Sequence, residues 1–253
     1  MPCLNCRNPA TCRAHILPGA VGKDIIITSD NRRKALSLAA PDRTDDTLQS
    51  GIFDKDILCG PCDGKLGLYD SHAVDICRLL GTTAEVLTTN DFSVRRDDGV
   101  NHEHLALFAA AVLWRASVST YRELQQFTLD PAEQERFRAM AFKEIMDVPT
   151  VGVLRLVSDN PIAHEAARLA MSYPSRFTTN EGFTRAKFSM RGLLFLIKLG
   201  QTPDDWLEAI TVTALGKVKG SACLTGPLFS FDGLLEVDNI RSTKYVTSIL
   251  GPP

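Results

Sequence analysis

The sequence predicts an α+β protein: a cysteine-anchored N-terminal module, a helical middle and a small C-terminal antiparallel sheet. Three observations carry that class. Two C-x-x-C pairs, Cys3/Cys6 and Cys59/Cys62, bracket the opening of the chain. Apolar residues then recur at three- and four-residue steps between Leu66 and Ile145, the helical period. Beyond Val151 the pattern turns to apolar runs and to alternation, which belong to strands.

Taken in order, Pro2 and Pro9 keep the first 18 residues out of helix. Ile25-Ile26-Ile27-Thr28 is β-branched and predicts a short strand. Residues 29–50 are polar and mixed in charge, as an exposed insertion would be. A helix is expected from Asp63-Gly64-Lys65, with Leu66, Tyr69, Ala73, Ile76, Cys77 and Leu80 on its apolar face and Gly81 as its stop. Residues 95–101 read as a polar link. The clearest helix follows, its apolar face marked by Leu105, Phe108, Ala109, Val112, Ala116 and Leu124. It carries Trp114-Arg115, and the arginine is expected to pair with an acid or a carbonyl at the helix periphery.

Asp130-Pro131-Ala132-Glu133 starts the next helix. Asp130 caps it, Pro131 takes the first helical position and Glu133 completes a capping box. Phe137, Met140, Ala141 and Ile145 form its core face. Asn160-Pro161 caps a further short helix running through Met171. Val151 to Val157 predicts a strand, and 184–190 alternates, with Ala186, Phe188 and Met190 opposite Arg185, Lys187 and Ser189. Arg191-Gly192 then punctuates before the apolar run 193–199, which makes a hairpin. Thr202-Pro203-Asp204-Asp205 caps a short helix bearing Trp206, and the Gly- and Pro-rich tail is short strands and loops. The division expected is a metal-binding module over 1–81 and an α+β domain over 82–253, with helices about 102–171 and the sheet about 151–250.

A chain of 253 residues, 44% hydrophobic, can bury a sizeable core. A net charge of −2 argues against a protein that coats nucleic acid by bulk positive charge, while leaving room for a local basic groove. No apolar run approaches the roughly 20 residues of a membrane span, and no charged-then-apolar leader opens the chain. A reduced cytoplasmic setting, without a membrane, is therefore expected for its thiols.

Two C-x-x-C knuckles present four thiolates from two tight turns, the arrangement a tetrahedral zinc ion takes. Cys3, Cys6, Cys59 and Cys62 are thus the expected zinc ligands. A four-cysteine site has no open coordination position, so the zinc is structural. Cys12, Cys77 and Cys223 fall outside the knuckles.

The order C-x-x-C, then Arg13-Ala14-His15-Ile16-Leu17-Pro18, then Ile57-Leu58-Cys59-Gly60-Pro61-Cys62-Asp63 leading into a helix resembles HNH (ββα-metal) endonucleases with a zinc knuckle. The resemblance spans about the first 70 residues. The layout, with a Trp-Arg-Ala-Ser helix (here Trp114 to Ser117), is also similar to a bacterial and phage group. The resemblance implies a ββα-like module in which His15 is the general base toward water attacking a phosphodiester. It puts Asp63 where the family has a metal-binding or orienting group, which implies Mg²⁺ or Mn²⁺ as a second cofactor. It puts Ala14 where the family usually has a metal-binding Asp or His; Asp54, Asp56 or Asp70 would have to substitute.

Each of these residues has a plainer reading. His15 can be a structural histidine hydrogen-bonded near the knuckles, and Asp63 can be a helix N-cap. Arg185, Lys187 and Arg191 can line a phosphate-binding groove for DNA or RNA, or can be a solvated sheet face. His102-Glu103-His104 reads as a helix start, because residues two apart on a helix diverge. The leading expectation is a zinc-stabilised HNH-like nucleic-acid-processing protein, a divalent-metal endonuclease of a bacterial or phage conflict system. The alternative is a non-catalytic binding or regulatory protein on a decayed HNH-like scaffold, with a protein as its partner.

Overall fold

The computed structural model describes residues 1–21, 53–79, 85–88, 93–97, 101–157, 171–204, 207 and 221–227. The expected strand at 25–28, the insertion at 29–50, most of the helix from Asn160 and Trp206 lie outside the described residues.

The fold is α+β. Strands β1 (Ala14–His15) and β2 (Phe53–Asp54) pair antiparallel, Ala14 opposite Asp54 and His15 opposite Phe53. Helix α1 (Gly60–Leu79) follows, completing a ββα order. It begins at Gly60, three residues before the position expected from Asp63, so Cys62 and Asp63 lie in its first turn. Pro61 suits that start, since its missing N–H is one the first turn leaves unbonded anyway. Backbone bonds from Leu4 to Ile57 (2.9 Å) and from Thr11 to Leu58 (3.2 Å) tie the opening turn to the segment entering α1.

Helix α2 (His102–Val118) is the centre of the molecule. Asn101 caps it by accepting from the His104 N–H at 3.0 Å. Every residue from Leu105 to Ala116 is buried, as a helix packed on all sides must be. The helix stops at Val118, where Ser119 turns to extended backbone. Leu124, expected on the same helical face, instead sits in a short 3₁₀ turn, Arg122–Leu124, and is still buried. Asp54 holds that corner: one carboxylate oxygen accepts from Ser119 Oγ, Thr120 N and Thr120 Oγ1, and the other from Asp56 N. Burial opposes its charge, but these donors outweigh burial and hold the carboxyl below its usual range.

Helix α3 (Pro131–Ala141) starts as the capping box requires, with Asp130 accepting from Glu133 N at 2.8 Å. Lys143 at φ 55 ends the segment. Ile145, expected on the core face, lies beyond that break and is 39% exposed.

The seven-stranded sheet runs β3 (Glu85–Thr88), β4 (Ser93–Asp97), β9 (Ser221–Pro227), β5 (Val151–Val157), β8 (Leu193–Lys198), β7 (Thr184–Met190), β6 (Met171–Thr178). All pairings are antiparallel except β5 with β9. The expected C-terminal antiparallel unit is the run β5–β8–β7–β6. Two corrections follow. Residues 95–97 belong to β4 and not to a polar link: Arg95 and Arg96 pair with Val86 and Glu85 of the neighbouring β3, and 95–97 pair on the other side with the distant β9, which local composition does not reveal. Met171 opens β6, opposite Met190, and does not end a helix. The β7–β8 hairpin closes through Arg191 (φ 51) and Gly192 (φ 80), the backbone signs a two-residue primed turn demands.

Phe108 of α2 meets Phe188 and Phe195 edge-on at 5.9 and 5.6 Å, while those two rings stack at 4.6 Å. One apolar cluster therefore runs from Cys3, Ile16 and Leu66 through α2 to the inner face of the sheet. Among the described residues no helix is long and apolar enough to cross a membrane.

Candidate metal centre and adjoining cleft

The first knuckle is a tight turn in which Arg7, at φ 66, returns its N–H to the Cys3 carbonyl at 3.0 Å. The second lies at the start of α1: Cys59 just precedes the helix, and Asp63 N bonds back to Cys59 O at 3.0 Å. The Sγ atoms of Cys3, Cys6, Cys59 and Cys62 all lie within 4.8 Å of one another, with Cys6 and Cys59 at 3.5 Å. A tetrahedral ion with metal–sulfur bonds of ~2.3 Å needs sulfurs about 3.8 Å apart. The four residues are close enough to bind such an ion, consistent with structural zinc.

The thiols are not equivalent. Burial, with the neighbouring thiols adding, pushes Cys62 up to about 12. Cys3 is brought down to about 7, since backbone N–H groups of Cys6, Cys59 and Asn5 outweigh its burial. A dication among the sulfurs reverses the penalty on holding four thiolates together. The positive end of the α1 dipole works in the same direction. Cys12 stays outside the set: it donates to Leu58 O at 3.1 Å, and burial followed by the charge of Asp63 pushes it up to about 11. Cys77, near the other end of α1, donates to Met190 O at 3.8 Å.

Beside this centre opens a cleft of about 350 Å³, lined by His15, Asp63, Gly67, Asp70, Ser71 and Arg78, with Pro18 to Ala20 on its other wall. Positions 63, 67, 70, 71, 74 and 78 recur at helical steps, so one face of α1 forms one side. His15 enters from β1, its ring 5.9 Å from Phe53. Asp63 is not an N-cap, because it sits inside the first turn. Burial raises its carboxyl above the ordinary range, against the pull of Arg115.

Ala14 is fully buried and contributes nothing to the cleft. Of the acids that could stand in for it, Asp54 is consumed by the α2 corner and Asp56 does not line the cleft. Asp70 does. Sequence reasoning missed what holds it: Arg115, fully buried, donates to both Asp70 oxygens at 2.9 and 2.7 Å and to Ala111 O at 3.3 Å. The expectation of an acid partner for Arg115 stands, but the guanidinium is wholly buried and meets its partner at the wall of the cleft. Only the spacing of Asp63 and Asp70, two turns apart on one helix, hinted that both share a face. Among the described residues the four cysteines are the one group of three or more metal-type side chains packed that tightly.

The three cations expected on a nucleic-acid face occupy unlike settings. Arg185 is 8% exposed and forks onto Asp204 at 2.7 and 2.8 Å. Lys187 Nζ lies 5.6 Å over the Phe177 ring, and Arg191 forms the hairpin turn. Arg185 is thus withdrawn from the solvated row that alternation suggested, because the buried Asp204 needs a counter-charge.

The fold and centre define an α+β protein with a four-cysteine metal-type site and a polar cleft whose lining begins at Asp63, the residue after Cys62. No protein-family model matches the chain, and no curated protein or solved structure matches it.

Proposed function

We propose that the four cysteines hold a structural zinc ion and that the chain is an HNH-like nucleic-acid-processing protein, a divalent-metal-dependent endonuclease acting in a reducing cytoplasm. The observation that carries this reading is that His15 and Asp63, 48 positions apart, line one cleft together with a second carboxylate, Asp70. The ββα order around a paired knuckle supports it. DNA or RNA is the substrate class. His15 takes the proton from the attacking water, while Asp63 and Asp70 face the same space and Arg115 fixes the orientation of Asp70. A Mg²⁺ or Mn²⁺ ion bound there would stabilise the charge on the scissile phosphate.

The second reading, a non-catalytic binding protein, is favoured by the buried Ala14 and by the hold of Arg115 on both Asp70 oxygens. One experiment separates them. Purified protein is assayed on plasmid DNA and on structured RNA with added Mg²⁺ or Mn²⁺. The endonuclease reading expects cleavage that falls by roughly 100-fold or more in His15→Ala. Gly67→Leu should act alike: a Cβ there meets nothing within 4 Å, so the longer side chain fills the cleft and leaves the packing alone. Both variants must keep the metal content of the cysteine centre. No cutting by the wild type, or equal cutting by His15→Ala, leaves the binding reading standing.

A further inference from the structure

We infer that Arg138 is a positioning residue for the metal centre, acting through the side-chain amide of Asn5. This rests on the reading of Cys3, Cys6, Cys59 and Cys62 as metal ligands. Asn5 lies between the first two cysteines and donates its Nδ2–H to Cys62 Sγ at 3.4 Å. An amide can face a sulfur with either end, and only the nitrogen end is attractive to a thiolate. What selects the nitrogen is on another element. Arg138 of α3, 133 positions away, donates from Nη1 to Asn5 Oδ1 at 2.6 Å. With the oxygen claimed, the nitrogen must face the sulfur.

Arg138 is itself held without slack. Its Nε and Nη2 fork onto Glu135 at 2.8 and 2.7 Å. Nη1 and Nη2 fork onto Glu144, Nη1 at 2.8 Å. With the bond to Asn5, all five guanidinium N–H groups have an acceptor. The side chain is 15% exposed. Glu144 is in place because the chain turns back after α3, its N–H bonded to Ala139 O at 2.8 Å. A lysine could balance the two carboxylates but could not present this fixed fork. Three functions meet in one residue: it docks α3 on the knuckle, neutralises two glutamates and sets the amide that bonds a ligand sulfur. Partners beyond the ligands typically tune metal affinity by 10–100-fold.

The test is competition for Zn²⁺ between the full-length protein and a chromophoric chelator, with Co²⁺ substitution to report the sulfur environment spectroscopically. Arg138→Ala should weaken metal binding about 10-fold or more, Asn5→Ala should do the same, and the double variant should lose little beyond either single one. Arg138→Lys should fall between. Asn5→Asp, which turns an oxygen on the sulfur, should be the weakest binder. Asn5 lies on the knuckle surface, so its variants report even if Arg138→Ala fails to fold. Wild-type affinity in Arg138→Ala, or losses that simply add in the double variant, would overturn the proposal while leaving the cysteine site intact. A wild type that binds no metal would end both.

Discussion

Arg115 closes both ends of its guanidinium on the two carboxylate oxygens of Asp70, at 2.9 and 2.7 Å, from a position wholly out of solvent. Burial works against the arginine's charge, and Asp70 more than restores it. Breaking such a pair strands a charge. Arg115→Met should therefore cost on the order of 3 kcal/mol of stability, measured by urea unfolding, with Asp70→Asn also destabilising. Combining Arg115→Met with Asp70→Leu should recover most of the loss, because no lone charge is left. Additive losses in the double variant would mean the two residues act independently.

The metal centre gives a second outcome. Cys59→Ser should lower both the metal content and the stability of the purified protein, while Cys12→Ala and Cys77→Ala should leave one metal per chain. Structural zinc contributes on the order of 10 kcal/mol in small modules, so strong chelators should unfold the N-terminal end. Elemental analysis and circular dichroism check this; full occupancy in a Cys3→Ser/Cys59→Ser variant would rule the assignment out.

A third concerns pH. His72 Nε2 accepts the Asn101 N–H at 3.1 Å, which requires a neutral ring, and His104 lies edge-on at 5.5 Å. Burial, then the His104 imidazole, lowers His72 below its ordinary value; His102 is lowered by burial and by His72. With the folded value below an unfolded value of about 6.5, the unfolded chain binds more protons between the two. Stability should be full above about pH 6.5 and should fall as pH drops toward the depressed folded value. His72→Gln keeps an acceptor for Asn101 and should flatten the fall between pH 7.5 and 5.5. The cysteine centre titrates in both proteins, so their difference reports His72 together with the part of the His102 shift that His72 causes; identical slopes would exclude both.

The fourth separates two basic residues of one strand. Arg185→Ala leaves Asp204, 1% exposed, without its fork, and should cost about 2–4 kcal/mol in thermal or urea unfolding. Lys187→Ala removes a cation that lies over the Phe177 ring on a partly exposed strand position and should cost about 1 kcal/mol or less. For nucleic-acid binding, Lys187→Glu and Arg191→Glu are the informative reversals, and they should weaken binding alike for all sequences and flatten its salt dependence. Equal stability losses at Arg185 and Lys187 would mean that the buried pair contributes no more than the surface contact.

The elements that local patterns encode are the ones legible in the chain. Asp130-Pro131-Ala132-Glu133 states a helix start in four residues, and the structure puts Asp130 Oδ1 on Glu133 N. Strands over 151–157 and 184–190 follow from their side-chain pattern, and C-x-x-C twice over states a four-sulfur site. The cap, the strands and each C-x-x-C pair depend on residues a few positions apart, where backbone geometry fixes the relation; joining the two pairs spans 53 positions from Cys6 to Cys59. The polar residues 95–97 carry no strand signal of their own, and β4 takes its place in the sheet between the neighbouring β3 and a strand from the other end of the chain, β9.

What the sequence by itself determined, then, is the class of fold, the cysteine set and the helix cap at Asp130. Only the tertiary structure decided which acid joins His15 and Asp63, that Arg115 and Arg185 are spoken for by Asp70 and Asp204, and that Arg138 reaches Asn5. The reason is physical. A buried charge must find its counter-charge wherever packing brings one, and the chain separation of such pairs is set by how helices and strands meet, not by any local rule.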